Sequence, residues 1–430
     1  MSTTAPASPA TRGQVLAWGL WDWGSAAFNA VILTFVFSVY LTDTVGADLP
    51  GSVSANSWLG YSLGIAGLTI ALLAPVTGQR ADAAGRRRFS VGLWTALTIT
   101  AMAGLFFVRD HYSYLWLGLV LLALGSIFFE LASVSYYAML RQVSTPATIG
   151  RISGFGWAMG YFGGIVLLLL VYVGLIAGRG GALGASTDDG LNIRLVALVA
   201  AAWFLVFAIP VLLAVPETAP TEQRRAHLGI VGSYRKLVTD LRELYRESPH
   251  TVYFLGASAL FRDGLAAIFT FGAVLAVTVY GIGQGDVLLF GVAANLVSAI
   301  GALAGGRVDD RLGPKVVVVG SLVGMLVSGA ILLFVSGPVM FWVFGLALVL
   351  FVGPAQSSSR TYLARLAPPG REGQMFGLYA TTGRAVSFLA PSLFGFFTYA
   401  FGTDRAGIVG ILLVLALGLV AMLPVRPPAS

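Results

Sequence analysis

Six charged residues stand inside runs of the chain that are otherwise apolar: Asp22, Glu130, Arg262, Asp263, Arg360 and Arg384. The plainest case is "ALFRDGLAAIF" (259–269), where an arginine and an aspartate sit side by side within the apolar stretch 251–280. These residue types have a defined chemistry. A carboxylate in a dry setting favours its protonated form, and a neighbouring arginine opposes that shift, so solute reaching Arg360 or Arg384 can free an acid to take a proton. A guanidinium offers a planar fork to a carboxylate. Three acids balanced by three bases suit a solute carrying both ammonium and carboxylate. Left unpaired in lipid, the six would cost ~15–20 kcal/mol, more than the about 5–15 kcal/mol that holds a typical domain together. They must therefore face one another or water. Pairings such as Asp263 with Arg384 and Glu130 with Arg360 would neutralise them. Neighbours on a helix point about 100° apart, so Arg262 and Asp263 are expected to look different ways, one into a cavity and one toward an adjacent helix.

Other chemistries find little material. The chain has no cysteine, which excludes disulfides and thiolate metal sites. His111, His227 and His250 lie outside the apolar runs and far apart, an unsuitable set for a metal. No Gly-Lys pair occurs, so there is no phosphate-cradling loop. No nucleophile–base constellation appears either. The expectation is a protein that is not an enzyme and has no cofactor.

The elements that must position the six charges follow from composition. Hydrophobic residues make up 57% and charged residues 10%, against about 45–50% and 25% for soluble domains. The chain is polytopic. Apolar runs predict twelve spans near 15–42, 57–78, 89–108, 114–139, 153–177, 193–215, 251–280, 286–306, 315–335, 339–364, 373–398 and 406–423. Of the 26 Lys and Arg residues, three lie within spans and four (Arg109, Arg179, Arg194 and Arg405) in outer loops, leaving nineteen on the side of the termini. The positive-inside rule makes that side cytoplasmic. It also accounts for the net charge of +7 without nucleic acid. The organisation expected is a disordered tail 1–14, a six-helix bundle 15–215, a cytoplasmic linker 216–250, a second bundle 251–423 and a tail 424–430. Within the linker, "SYRKLVTDLRELY" places Tyr234, Leu237, Val238, Leu241, Leu244 and Tyr245 at helical spacing, which predicts an amphipathic helix tethering the halves.

An internal repeat relates the two bundles. The loop after span 2, "GQRADAAGRRR", and the loop after span 8, "GRVDDRLGPK", share Gly, three residues, Asp, two residues and Gly. Asp22 and Phe28 are spaced like Asp263 and Phe269, and Gly150-Arg151 echoes Gly370-Arg371. Paired loops in two six-span halves mark a duplicated transporter. The first loop carries the full signature G-x-x-x-D-x-x-G-R-[RK]-[RK] of the major facilitator superfamily at Gly78, Asp82, Gly85, Arg86, Arg87 and Arg88. Within that superfamily, "GLWDWGSAAFNAVILTFVF", "SGFGWAMGYFGG" and "GPAQSSSRTYLARLAPPGREGQMFGLY" resemble the branch of the vacuolar amino-acid effluxers of autophagy. Ser25 and Arg262 stand where that branch commonly has Asn.

The resemblance implies an all-α membrane protein of twelve helices in two pseudo-symmetric bundles. It implies a cytoplasmic gate in which Asp82, paired with Arg86 or Arg87, faces the N-terminus of span 11, while Asp310, before Gly313, faces span 5. It also implies a central cavity lined by spans 1, 4, 7 and 10, which hold five of the six charges. Spans 3, 6, 9 and 12 hold none. Glu130, Asp263 and Arg384 are read as deepest. Arg360, about five residues from a helix end, has room to snorkel. Trp23, Tyr136, Tyr137, Gln356 and Ser359 are cavity-lining candidates. The glycines Gly156, Gly160, Gly163 and Gly164 let span 5 approach another helix closely, and Tyr161 stands where a proton-driven drug exporter would show proline. The expected function is a monomeric secondary transporter of the cell membrane, moving an amino acid or short peptide by alternating access with protons as possible partners. The alternatives are a multidrug or lipid exporter and a transport-inactive receptor.

Overall fold

The computed structural model describes residues 10–217 and 230–427. Most of the expected N-terminal tail and the first part of the linker lie outside them. Eleven of the described helices are long and apolar enough to cross a membrane. Spans 1 to 6 are Arg12–Val45, Ala55–Ala84, Arg87–Phe107, Tyr112–Gln142, Ile149–Ile176 and Asp188–Ala214. Spans 7 to 10 are Pro249–Thr278, Asp286–Leu312, Pro314–Phe334 and Pro338–Leu366, and span 12 is Asp404–Met422. Span 11 is the missing twelfth, because it comes in two pieces, Glu372–Val386 and Leu389–Phe401.

Local chemistry sets many of these ends. Thr11 and Gln14 form a reciprocal capping box at the start of span 1, satisfying amides that a helix cannot bond itself. Ser54 and Thr403 cap spans 2 and 12. Pro249, Pro314 and Pro338 begin their helices, where a missing N–H costs nothing. The break in span 11 has the same origin. Pro391 cannot donate, and its ring collides with the carbonyl four residues earlier, at Ser387. Pro354 does the same in span 10, where the helix is interrupted at Phe351. Gly85 (φ 66°) and Gly313 (φ 85°) turn the chain out of spans 2 and 8, a left-handed conformation that costs glycine little.

Within the first half, span 1 packs on spans 5 and 6, and span 4 on spans 2 and 3. Within the second, span 7 packs on spans 11 and 12, and span 10 on spans 8 and 9. The halves meet along two antiparallel seams, span 2 with span 11 and span 5 with span 8. Both seams bring backbone against backbone. A Cβ on Gly78 would stand 2.0 Å from the carbonyl oxygen of Gly373, and one on Gly150 would stand 2.6 Å from that of Gly306. The span 2 seam continues inward through Gly377 against Ala74 and through the Thr381 hydroxyl, which donates to the Ala71 carbonyl at 2.8 Å. It reaches Gly67 beside Arg384. These contacts run from the linker end of the molecule to its middle. Beyond them Leu169 and Leu170 of span 5, Leu288 and Leu289 of span 8 and Phe388 of span 11 are exposed. The two bundles are closed at the end that carries the repeated loops.

The linker helix, Ile230–Glu247, lies against spans 2 and 7. Leu237 and Leu244 are buried, whereas Val238 and Tyr245 remain exposed, so only part of the expected apolar stripe meets protein.

Candidate functional site

The gate loops are built around two carboxylates at helix starts. Asp82 accepts from the backbone N–H of Gln374 at 2.9 Å, in the first turn of span 11. That places a negative charge where the helix presents free amides and a partial positive charge. Of the two candidate basic partners, Arg87 reaches Asp82, its Nε donating at 2.8 Å, while Arg86 is exposed. Arg87 also binds Glu372, which Arg141 reaches at 3.2 Å. Asp310 accepts from the backbone N–H groups of Gly150 (2.7 Å) and Arg151 (3.2 Å), at the start of span 5.

Two ion pairs cross between the halves deeper in. Arg384 of span 11 lies 3.1 Å from Glu130 of span 4, and Arg360 of span 10 lies 3.4 Å from Asp22 of span 1. Neither pairing expected above forms: Glu130 takes Arg384, Asp22 takes Arg360, and Asp263 bonds a backbone amide instead of an arginine. Arg360 is also held by Ser153 of span 5, donating to its hydroxyl at 2.9 Å and its carbonyl at 2.7 Å. Its guanidinium lies 4.9 Å from the Trp18 ring centre, 5.1 Å from Tyr137 and 5.7 Å from Trp157, within the range of cation–π attraction. It does not snorkel. Its side chain is 2% exposed, because polar partners close by remove the reason to reach water. Gly156 leaves the room for this bridge, since a Cβ there would fall 2.6 Å from Asp22 Oδ2. The accessible pair is the other one, with Arg384 39% and Glu130 19% exposed.

Arg262 and Asp263 answer to the break in span 11. Arg262 donates to the Tyr379 carbonyl at 2.9 Å and stacks over the Tyr379 ring at 3.7 Å, beside Gly383. Asp263 accepts from the backbone N–H of Ala390 at 2.7 Å, in the first turn of the second piece. So both residues address span 11, one on each side of its break, instead of dividing between cavity and neighbour. Only the acid meets a helix end, at the amides that open the second piece; the base bonds the Tyr379 carbonyl and ring midway along the first.

Several lining candidates lie elsewhere. Trp23 turns away from the centre and packs on Trp203 and Phe207 of span 6. Tyr136 is buried between Trp18 and Trp21, its hydroxyl 2.9 Å from Asp22, so it supports that carboxylate from behind. Ser359 is buried, 2.6 Å from the Tyr379 hydroxyl. Tyr137 and Gln356 are half-buried, and Tyr137 faces Phe376 and Arg360 across the seam. Sequence reasoning passed over Ser153, Asp240, Asp309, Arg365 and Glu372. Asp309 is buried and lies 2.9 Å from Arg365, a charge pair inside the membrane segments that was counted as loop. The adjacent acids Asp309 and Asp310 were the signal that one of them has a partner besides a helix start.

Twelve helices in two pseudo-symmetric bundles, joined by a linker and closed over paired acid-bearing loops, are the major facilitator fold. The solved proton:xylose symporter XylE superposes with a TM-score of 0.73 at 15% identity, covering 96% of this chain and 94% of its own. A bacterial homologue of the iron transporter ferroportin, in its outward-facing state, gives 0.68 at 15%, covering 96% and 98%. A match to the family described as "Vacuole effluxer Atg22 like" spans residues 141–428, and the chain belongs to that family. An uncharacterized MFS-type transporter, YxiO of Bacillus subtilis, is 23% identical over 94% of this chain and 93% of its own length. Autophagy-related protein 22 of Cryptococcus neoformans is 26% identical over 62% of this chain and 49% of its own length. The match thus spans about half of that fungal relative. The protein is a multi-pass membrane transporter and not an enzyme.

Proposed function

We propose that the protein moves a small zwitterionic solute, an amino acid or short peptide, across the cytoplasmic membrane by alternating access, and that Glu130 and Arg384 bind its two ends. The observation that carries this reading is the position of that pair. Its members come from opposite halves, lie at the inner end of the span 2 seam, and are more exposed than the other deep pair, Arg360 and Asp22. A solute carboxylate competes for Arg384 and its ammonium for Glu130, so binding replaces an interdomain ion pair with one bridged by solute. Glu130 and Arg384 can then part without either being left as an unpaired charge, which costs several kcal/mol for a buried group. The charge bias of the loops supports a cytoplasmic gate and an outward-open state.

Counterflow in proteoliposomes tests this. Unlabelled amino acids should compete with a labelled one, and their N-acetyl and amide derivatives, each lacking one charge, should compete at least about tenfold less well, a difference of 1.4 kcal/mol. Glu130→Gln, which removes the partner of the solute ammonium, should weaken competition by the unmodified amino acid at least about tenfold. Equal competition by the capped derivatives would remove the zwitterion reading and leave a multidrug or lipid exporter in its place.

A further inference from the structure

The linker helix has a face that neither the gate nor the central site uses. On a helix of 100° per residue, Arg235, Arg242 and Arg246 fall within about 40° of one another. Beside them runs an apolar flank of Val238, Leu241 and Tyr245, and on the far side a flank with Glu243 and Glu247. All three arginines are exposed. Among the described residues none of them has an ion pair or a side-chain hydrogen bond. Between this helix and span 7 lies an open groove of about 330 Å³, lined by Leu241, Arg242, Tyr245, Arg246 and Val252. The helix ends at Glu247 and span 7 starts at Pro249, so the groove sits at the level where a membrane helix leaves the hydrocarbon. Tyr245 and Tyr253 meet edge to face at its margin, aromatic rings of the kind that settle at the headgroup layer.

We propose that this groove binds the phosphate headgroup of an anionic phospholipid, held by Arg242 and Arg246, with the acyl chains along Val238 and Tyr245. Charge complementarity selects the occupant: unpaired guanidiniums one helical turn apart beside an apolar flank match a phosphate joined to hydrocarbon. The opposite face of the same helix holds the gate. Asp240 accepts from Gln374 of span 11 at 3.0 Å and lies 3.5 Å from Gln79 Nε2 of span 2, touching both halves. The lipid therefore anchors the helix that spans the closed seam.

Val252→Cys in this cysteine-free chain supplies a single attachment point for an environment-sensitive fluorophore. The labelled full-length protein is reconstituted in phosphatidylcholine vesicles with increasing phosphatidylglycerol. Emission should shift with phosphatidylglycerol. Arg242→Gln with Arg246→Gln should need about 30-fold more of it, and Lys at both positions should restore most of the response. Glu243→Gln with Glu247→Gln should leave the midpoint within about twofold, because that flank lies away from the groove. A strengthening by those changes as large as the arginine loss would show diffuse surface attraction and overturn the site. So would an unchanged midpoint in the Gln double variant. A matching shift from inorganic phosphate in pure phosphatidylcholine would assign the groove to a soluble phosphate and overturn the lipid.

Discussion

The two gate loops descend from one pattern but are anchored differently. Asp82 and Asp310 each bind backbone amides at the start of a helix in the other half. Around Asp82 the charges are caged: Arg87 binds it and Glu372 together, and Arg141 closes the chain on Glu372. At the position equivalent to Arg87, the second loop has Lys315, after Pro314. Proline opens span 9 there, and Lys315 turns to the carbonyls of Leu423 and Val425, both at 2.7 Å. Asp310 is left with Arg151 and Arg365, each at 3.9 Å, while Arg365 spends its close contact on Asp309. A helix start is recognised by an acid alone. Holding that acid buried takes a cation from its own loop, and only the first loop supplies one.

The largest expected effect comes from breaking the cage. Arg87→Met leaves Asp82 buried without a counter-charge and Glu372 with Arg141 alone, and should lower stability by about 3–5 kcal/mol, read as a fall in the unfolding midpoint of detergent-purified protein. Lys315→Met should cost about 1 kcal/mol, the worth of a partly exposed hydrogen bond. Similar losses from the two variants would erase the distinction between the loops.

Next in size is the acid itself. Asp82→Asn removes a charge facing a helix start, worth ~0.3–2 kcal/mol, and should raise labelling of a single cysteine at Gln142 or Leu366 several-fold as the gate opens. Asp310→Asn should raise it less, since Asp310 is less enclosed than Asp82 and has no ion pair closer than 3.9 Å. An equal rise would mean that the cage adds nothing to the latch. The smallest effect belongs to Lys315→Gln, for which labelling at Gln142 should match that of the unmodified gate; a rise like that of Asp82→Asn would move Lys315 into the latch.

Much of this architecture was legible in the chain itself. Apolar runs of membrane length located the spans, because a helix in lipid must satisfy its backbone internally and cover it with apolar side chains. The spaced Gly, Asp and Gly marked the gate loops, because a left-handed turn and a helix-facing acid are requirements carried by single residues. Even the break in span 11 had a local cause in Pro391, which a reading by hydropathy passed over. The partners of the buried charges were not legible. A 3.6-residue period fixes which side chains share a face, but not which helix that face meets or at what height. Arg384 found Glu130, Arg360 found Asp22 and Ser153, and Trp23 turned to span 6, because two bundles docked along seams where glycines let backbones touch. Arg262 and Asp263 could be adjacent because span 11 offers one of them the Tyr379 carbonyl and ring and, past its break, the other the Ala390 amide, and that placement exists only in the folded membrane domain.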